Sequence, residues 1–240
     1  MKIVAYLSLG IGVVILIAFL MARKDGANIK AVILKSLTSV AFMSIAVSSF
    51  LAADVNMSFG YFVIIGLLFG LLGDIWLDLK FIYKEDNDAF TFAGFCVFAV
   101  QHVFLIVGLL INYADWTNTM GVLHAIIPIV VGMGAGILNV MFLEKPMKLE
   151  YGKFKAITGI YGGILISMTI LSVSLAAYWD FGVNTLNLMF AGAIPFLLSD
   201  LILSGTYFGE GKNRPIDVIT NHATYYIGQF LIALSLLFLA

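Results

Sequence analysis

IGVVILIAFL (11–20) is an unbroken apolar run with no alternation of polar and apolar positions. A membrane-barrel strand alternates over about 10 residues, so this run reads as helix. Extended to roughly 3–22, it supplies the about 20 residues that cross a bilayer. Seven further runs of similar length occupy roughly 29–53, 59–80, 90–112, 119–143, 154–177, 184–205 and 217–239. Together they fill nearly all of the 240 residues as one integral membrane domain, 1–240. The composition agrees, with 62% hydrophobic residues, 11% charged and a mean hydropathy of +1.05. Soluble domains are about 25% charged. The fold expected is all-α: a polytopic membrane helical bundle of about eight transmembrane helices. Nucleic acid is excluded as a partner, because 13 Lys+Arg against 14 Asp+Glu leave no positive field. The lone Cys96 cannot close an internal disulfide. Arg23 and Lys24 follow the first span, which reads as a retained helix rather than a cleaved signal.

Basic residues orient the spans. Arg23, Lys24, Lys30, Lys35, Lys80, Lys84, Lys145, Lys148, Lys153, Lys155, Lys212 and Arg214 lie on one side, and only Lys2 on the other. The twelve define a cytoplasmic face, with both termini outside and the cell membrane as the expected location. Tyr113, Trp116, Tyr178 and Trp179 mark the outer helix ends; Tyr83, Tyr151 and Tyr207 mark the inner ones. Gly66/Gly70, Gly132/Gly136 and Gly159/Gly163 have the spacing of close helix packing.

An ionisable residue inside a span costs a few kcal/mol, so each is a functional candidate. Asp74 lies six residues before Lys80, about 9 Å from the basic end at 1.5 Å per residue. Asp200 reaches a similar depth, and Lys35 enters the second span by a comparable distance. Asp78 follows Asp74 by one turn on the same face. His222, Tyr225, Tyr226 and Gln229 form one polar stripe, and His102 lies near mid-membrane. These groups predict a cavity open toward the cytoplasmic half. His124, in the outer half, reads as structural. LLGDIWL (71–77) resembles LLSDLIL (197–203), with 126 residues between the two aspartates. Both spans run inward, so this suggests a 4+4 parallel pseudo-repeat facing Asp74 toward Asp200.

LKSLTS (34–39), LLGDIWL, AGFCVFAVQH (93–102), LLSD (197–200) and TYYIGQFLIALS (224–235) form an ordered set. In order and spacing it resembles the lysoplasmalogenase family of integral membrane hydrolases, also called the YhhN family. Two positions depart from that pattern: Ser36 stands where Pro is expected, and Gln101 precedes His102 where a small residue is usual. The resemblance implies hydrolysis of the vinyl-ether bond of lysoplasmalogens, releasing a fatty aldehyde and glycerophospho-ethanolamine or -choline. The implied partners are a lysophospholipid substrate and the surrounding membrane lipids.

Vinyl-ether cleavage begins with protonation of the β-carbon and yields an oxocarbenium ion that water captures. Two carboxyls suit that chemistry, as in glycoside hydrolysis through a similar cation. Asp74 and Asp200 are the expected catalytic pair, with acid and base not yet distinguished. Lys35 is expected to bind a phosphate or a carboxylate, and could hold the substrate phosphate. Asp78, His102, His222, Tyr225, Tyr226 and Gln229 are expected to line the substrate site. No Gly-x-Ser-x-Gly elbow and no nucleotide-binding loop occur, and no cofactor is expected. A metal centre on Asp74, Asp78, His102, Asp200 and His222 is the mechanistic rival, though no close ligand spacing favours it. A proton-coupled transporter using the same aspartates, or a non-catalytic lipid-binding protein, are the competing functions.

Overall fold

The computed structural model describes residues 1–24, 26, 28–53, 57–209 and 214–239. Lys212, counted with the basic face, lies outside them. The described chain forms eight α-helices of 20 to 27 residues: α1 Lys2–Lys24, α2 Ile29–Phe50, α3 Met57–Leu79, α4 Asn87–Tyr113, α5 Thr119–Leu138, α6 Lys155–Tyr178, α7 Asn184–Phe208 and α8 Pro215–Ser235. Local chemistry sets several starts. Asn28 and Asn118 cap α2 and α5 by accepting from the Ala31 and Met120 amides, both at 2.9 Å. Pro215 opens α8, where the Asp217 carboxylate turns back to the Arg214 amide at 3.1 Å.

Seven of the helices are long and apolar enough to cross a membrane, and the protein is an integral membrane helical bundle. The eighth expected span, α8, has the length but not the apolarity. Asn221, His222, Tyr225, Tyr226 and Gln229 lower its hydropathy, and all five are buried. The polar stripe therefore turns into the bundle, against α7 and α2, while α1 also packs on α8. Most of α1 meets few neighbours, and its Ile3, Leu7, Ile11 and Val14 are exposed.

The helices pair as α1 with α2, α3 with α4, α5 with α6 and α7 with α8. α2 packs on α3 as α6 packs on α7, and α8 packs on α2 as α4 packs on α6. Exchanging the first four helices with the last four preserves these contacts, which is the arrangement of a parallel repeat. Individual close approaches repeat as well. Gly12 of α1 faces Ala41 of α2, and Gly132 of α5 faces Ser167 of α6. Gly66 of α3 faces Gln101 and Leu105 of α4; Gly192 of α7, 126 residues later, faces Gly228 and Ile232 of α8. Small residues let backbones approach where lipid supplies no hydrophobic drive between helices.

A Cβ on Gly136 would strike the backbone of Gly163, whereas one on Gly134 would meet nothing within 4 Å. Gly136→Ala is therefore expected to lower stability by about 1–3 kcal/mol. Thermal unfolding in detergent checks this, with Gly134→Ala expected to match the wild type.

Candidate active site

Helices α2, α3 and α8 bring one charged cluster together. The Lys35 ammonium lies 3.3 Å from an Asp74 carboxylate oxygen and 3.1 Å from one of Asp78. The 3.6-residue period places the two aspartates one turn apart, so one α2 side chain bridges both. The other Asp74 oxygen accepts from the Ser39 hydroxyl at 2.6 Å and the Tyr225 hydroxyl at 2.7 Å. Tyr226 donates to the Lys35 carbonyl at 3.0 Å and contacts the Ser39 hydroxyl at the same distance. Gln229 donates to the Tyr225 hydroxyl at 2.9 Å, and the Gln101 amide donates to Gln229 at 3.0 Å. Lys35, Asp74 and Asp78 are all buried. Lys35 and Asp74 are thus paired inside the bundle, as a low-dielectric interior demands, while the second Asp78 oxygen has no hydrogen-bond partner among the described residues.

Asp200 belongs to a second, different arrangement on α7. It accepts from the Tyr161 hydroxyl of α6 and from Ser199 at 3.3 Å. Among the described residues no cation lies within ion-pair distance of it. Asn221 of α8 donates to the Ser199 carbonyl at 2.6 Å and so fixes α7 beside the aspartate. The two arrangements are repeats of one another: Lys35 and Tyr161 are 126 residues apart, as are Asp74 and Asp200. One half holds its aspartate with an ammonium, the other with a phenol.

Asp74 and Asp200 line the same cavity of about 30 Å³, with Lys35, Phe95, Phe98, Tyr161, His222 and Tyr225 also in its walls. Leu203, Tyr207, Asn221 and His222 are shared with a second cavity of about 490 Å³ that includes Arg23, Lys24 and Lys80. Phe95, Tyr161, Asp200, Leu203 and Tyr207 are shared with a third of about 100 Å³. The third is walled mainly by apolar residues of α6, α7 and the turn after α5, among them Val140, Leu165, Leu197 and Leu201. A basic vestibule and an apolar chamber therefore each adjoin the carboxyl-lined waist, and all three meet at Leu203 and Tyr207.

The chain belongs to the YhhN family. Its family model matches residues 30–236, which contain every group in the carboxyl-lined waist. Neither the curated proteins nor the solved structures compared with the chain gave a significant match.

Sequence reasoning placed Asp74, Asp200, Lys35, His222 and Tyr225 at one site in this YhhN chain, and all five line the waist. Asp78, Tyr226 and Gln229 sit behind it, bonded to Lys35 or Tyr225. His102 does not reach it. One ring nitrogen contacts the Phe98 carbonyl at 2.7 Å, and the ring lies edge-on to Phe196. Of the two partners expected for Lys35, phosphate or carboxylate, the fold supplies carboxylates, those of Asp74 and Asp78. Tyr161, Ser39, Ser199, Asn221 and Tyr207 were missed. The 126-residue spacing from Lys35 was the available signal for Tyr161; the others are ordinary residues of helical spans. His124 contacts Ser174 of α6 through one ring nitrogen, remote from the waist. Among the described residues, no three His, Cys, Asp or Glu side chains are grouped to hold a metal ion.

Removing Lys35 would leave Asp74 with no cation within ion-pair distance among the described residues and Asp78 with only Arg23, at 3.5 Å. Lys35→Gln is expected to cost about 3–5 kcal/mol of stability. Adding Asp78→Asn is expected to recover part of that loss, as a double-mutant cycle by thermal unfolding would measure.

Proposed function

We propose that this protein hydrolyses the vinyl-ether bond of a lysoplasmalogen. The observation that carries the reading is the shared waist. Two aspartates in unlike surroundings line one small cavity, between a basic vestibule and an apolar chamber. Those three adjoining spaces suit the polar head, the reactive bond and the chain of an amphiphile. Family membership supports a lysoplasmalogenase-like hydrolase, and the paired carboxyls supply chemistry suited to this bond. The positive-inside bias supports a vestibule facing the cytoplasmic leaflet.

The unlike partners assign the roles. An isolated carboxylate is costly in an apolar site, and a paired one is far less so. Asp74, with Lys35 at 3.3 Å and two hydroxyl donors, is the carboxylate. Asp200, with only hydroxyl partners, carries the proton. Asp200 protonates the β-carbon of the vinyl ether, and the adjoining carbon becomes an oxocarbenium ion. The Asp74 carboxylate stabilises that cation and takes a proton from the attacking water, giving a hemiacetal. Asp74 then passes this proton to the departing glycerol oxygen while Asp200 recovers one from the hemiacetal hydroxyl. The products are one aldehyde and one glycerophospho compound, and both aspartates return to their starting states. Lys35, Ser39 and Tyr225 keep Asp74 ionised and aimed; Tyr161 orients Asp200.

The test is aldehyde release by the purified protein in detergent, with a lysoplasmalogen and the corresponding ester lysophospholipid. Wild type is expected to release aldehyde from the vinyl ether alone. Asp74→Asn and Asp200→Asn are each expected to lose at least ~100-fold while keeping the wild-type elution profile. Absence of aldehyde from well-folded wild type would overturn the reading.

A further inference from the structure

The carboxylates account for only part of the positive charge buried at the basic end. Arg23, Lys35 and Lys80 are buried there, with exposures of 8%, 4% and 6%. Lys35 takes Asp74 and Asp78. Arg23 reaches only the Asp78 oxygen that Lys35 already holds, at 3.5 Å, and its other terminal nitrogen has no hydrogen-bond partner among the described residues. Lys80, the residue after α3, has no carboxylate within ion-pair distance among the described residues. With Lys80 protonated, three buried basic groups thus face the two carboxylates of Asp74 and Asp78, and one positive charge is left over.

The two under-compensated cations converge. The Arg23 guanidinium lies 4.3 Å and the Lys80 ammonium 5.1 Å from the centroid of one ring, Phe81. Lys80 also sits 3.1 Å from the centroid of Tyr207, which is common to vestibule and waist. Aromatic faces attract cations but neutralise none. Burial and the neighbouring charges of Lys35 and Arg23 pull the Lys80 ammonium down to about 7, with Asp78 opposing them. The carboxylate on the vestibule wall, Asp88, is occupied by Lys153.

We propose that Arg23 and Lys80, over the Phe81 ring, form an anion subsite for the phosphodiester of a lysophospholipid headgroup. A phosphodiester brings one negative charge, which balances the excess, and two non-bridging oxygens, one for each cation. The shared Tyr207, Asn221 and His222 walls place a phosphate in the vestibule next to the waist. The subsite rests on the proposed hydrolysis for its choice of lipid, and replaces Lys35 as the phosphate's partner.

The test is equilibrium titration of the purified full chain in detergent with three probes. A saturated 1-alkyl-ether lysophosphoethanolamine keeps the phosphodiester but has no vinyl ether to protonate. The matching 1-alkylglycerol lacks the phosphate, and inorganic phosphate lacks the lipid. Lys80→Gln is expected to weaken the alkyl lysophospholipid about tenfold and to leave alkylglycerol unchanged. Lys80→Arg is expected to keep most of the affinity, and inorganic phosphate to bind far more weakly than the lipid. Unchanged lipid affinity in Lys80→Gln, or equal losses for both lipids, would overturn the subsite. Inorganic phosphate binding as tightly as the lipid would overturn the headgroup assignment. Because the alkyl ether is not cleaved, this binding pattern with no aldehyde released from a lysoplasmalogen would keep the subsite and sink the hydrolysis.

Discussion

Everything at the basic end of this bundle follows from the cost of holding charge away from water. Asp74 and Asp78 lie one turn apart on α3, and both are buried. Only the Lys35 ammonium, from α2, stands within ion-pair distance of both. Among the described residues, its removal leaves Asp74 without a cation and Asp78 with only Arg23, at 3.5 Å, so α2 and α3 are held in register by charge as well as by packing. Tyr225 and Tyr226 bring α8 to the same cluster through hydroxyl contacts, and Gln229 couples it onward to α4. A polar α8, unsuited to facing lipid, is the consequence.

The repeat shows how one scaffold yields two unlike carboxyls. The halves share helix pairing and glycine contacts, and place Asp74 and Asp200 at equivalent positions. They differ in the residue that α2 or α6 presents, Lys35 or Tyr161. In the proposed mechanism, a cation beside Asp74 and none among the described residues beside Asp200 divides the ionised carboxyl from the protonated one at one waist, the division acid and base chemistry needs. The symmetry positions the pair, and its breaking at Lys35/Tyr161 and at neighbours such as Ser39/Leu165 and Ala99/Tyr225 distinguishes the members.

Much of this was legible in the sequence because hydrocarbon enforces simple rules. Apolar runs had to be helices, and Asp74 and Asp200 stood out because charges inside spans are costly. Their common depth and 126-residue spacing foretold one site. Pairing across helices was less legible. Lys35 could equally have faced a phosphate, and only the helix rotation that turns it to α3 decides for Asp74 and Asp78. Tyr161 is inconspicuous in an apolar span, since a phenol is cheap to bury once its hydroxyl is bonded. Lys80 read as an interfacial charge, yet the fold covers it with Tyr207. His102 points to Phe196 and its own helix backbone rather than the waist, a matter of helical phase that composition does not reveal.

Carbon protonation by Asp200, with capture of the cation by water beside Asp74, is the central claim. Its most direct test is hydrolysis of a lysoplasmalogen in heavy water, with the aldehyde reduced as it forms and analysed by mass spectrometry. The account predicts a single deuterium on the carbon next to the former aldehyde carbon, where the β-carbon of the vinyl ether was protonated. Aldehyde released without deuterium at that carbon would contradict it.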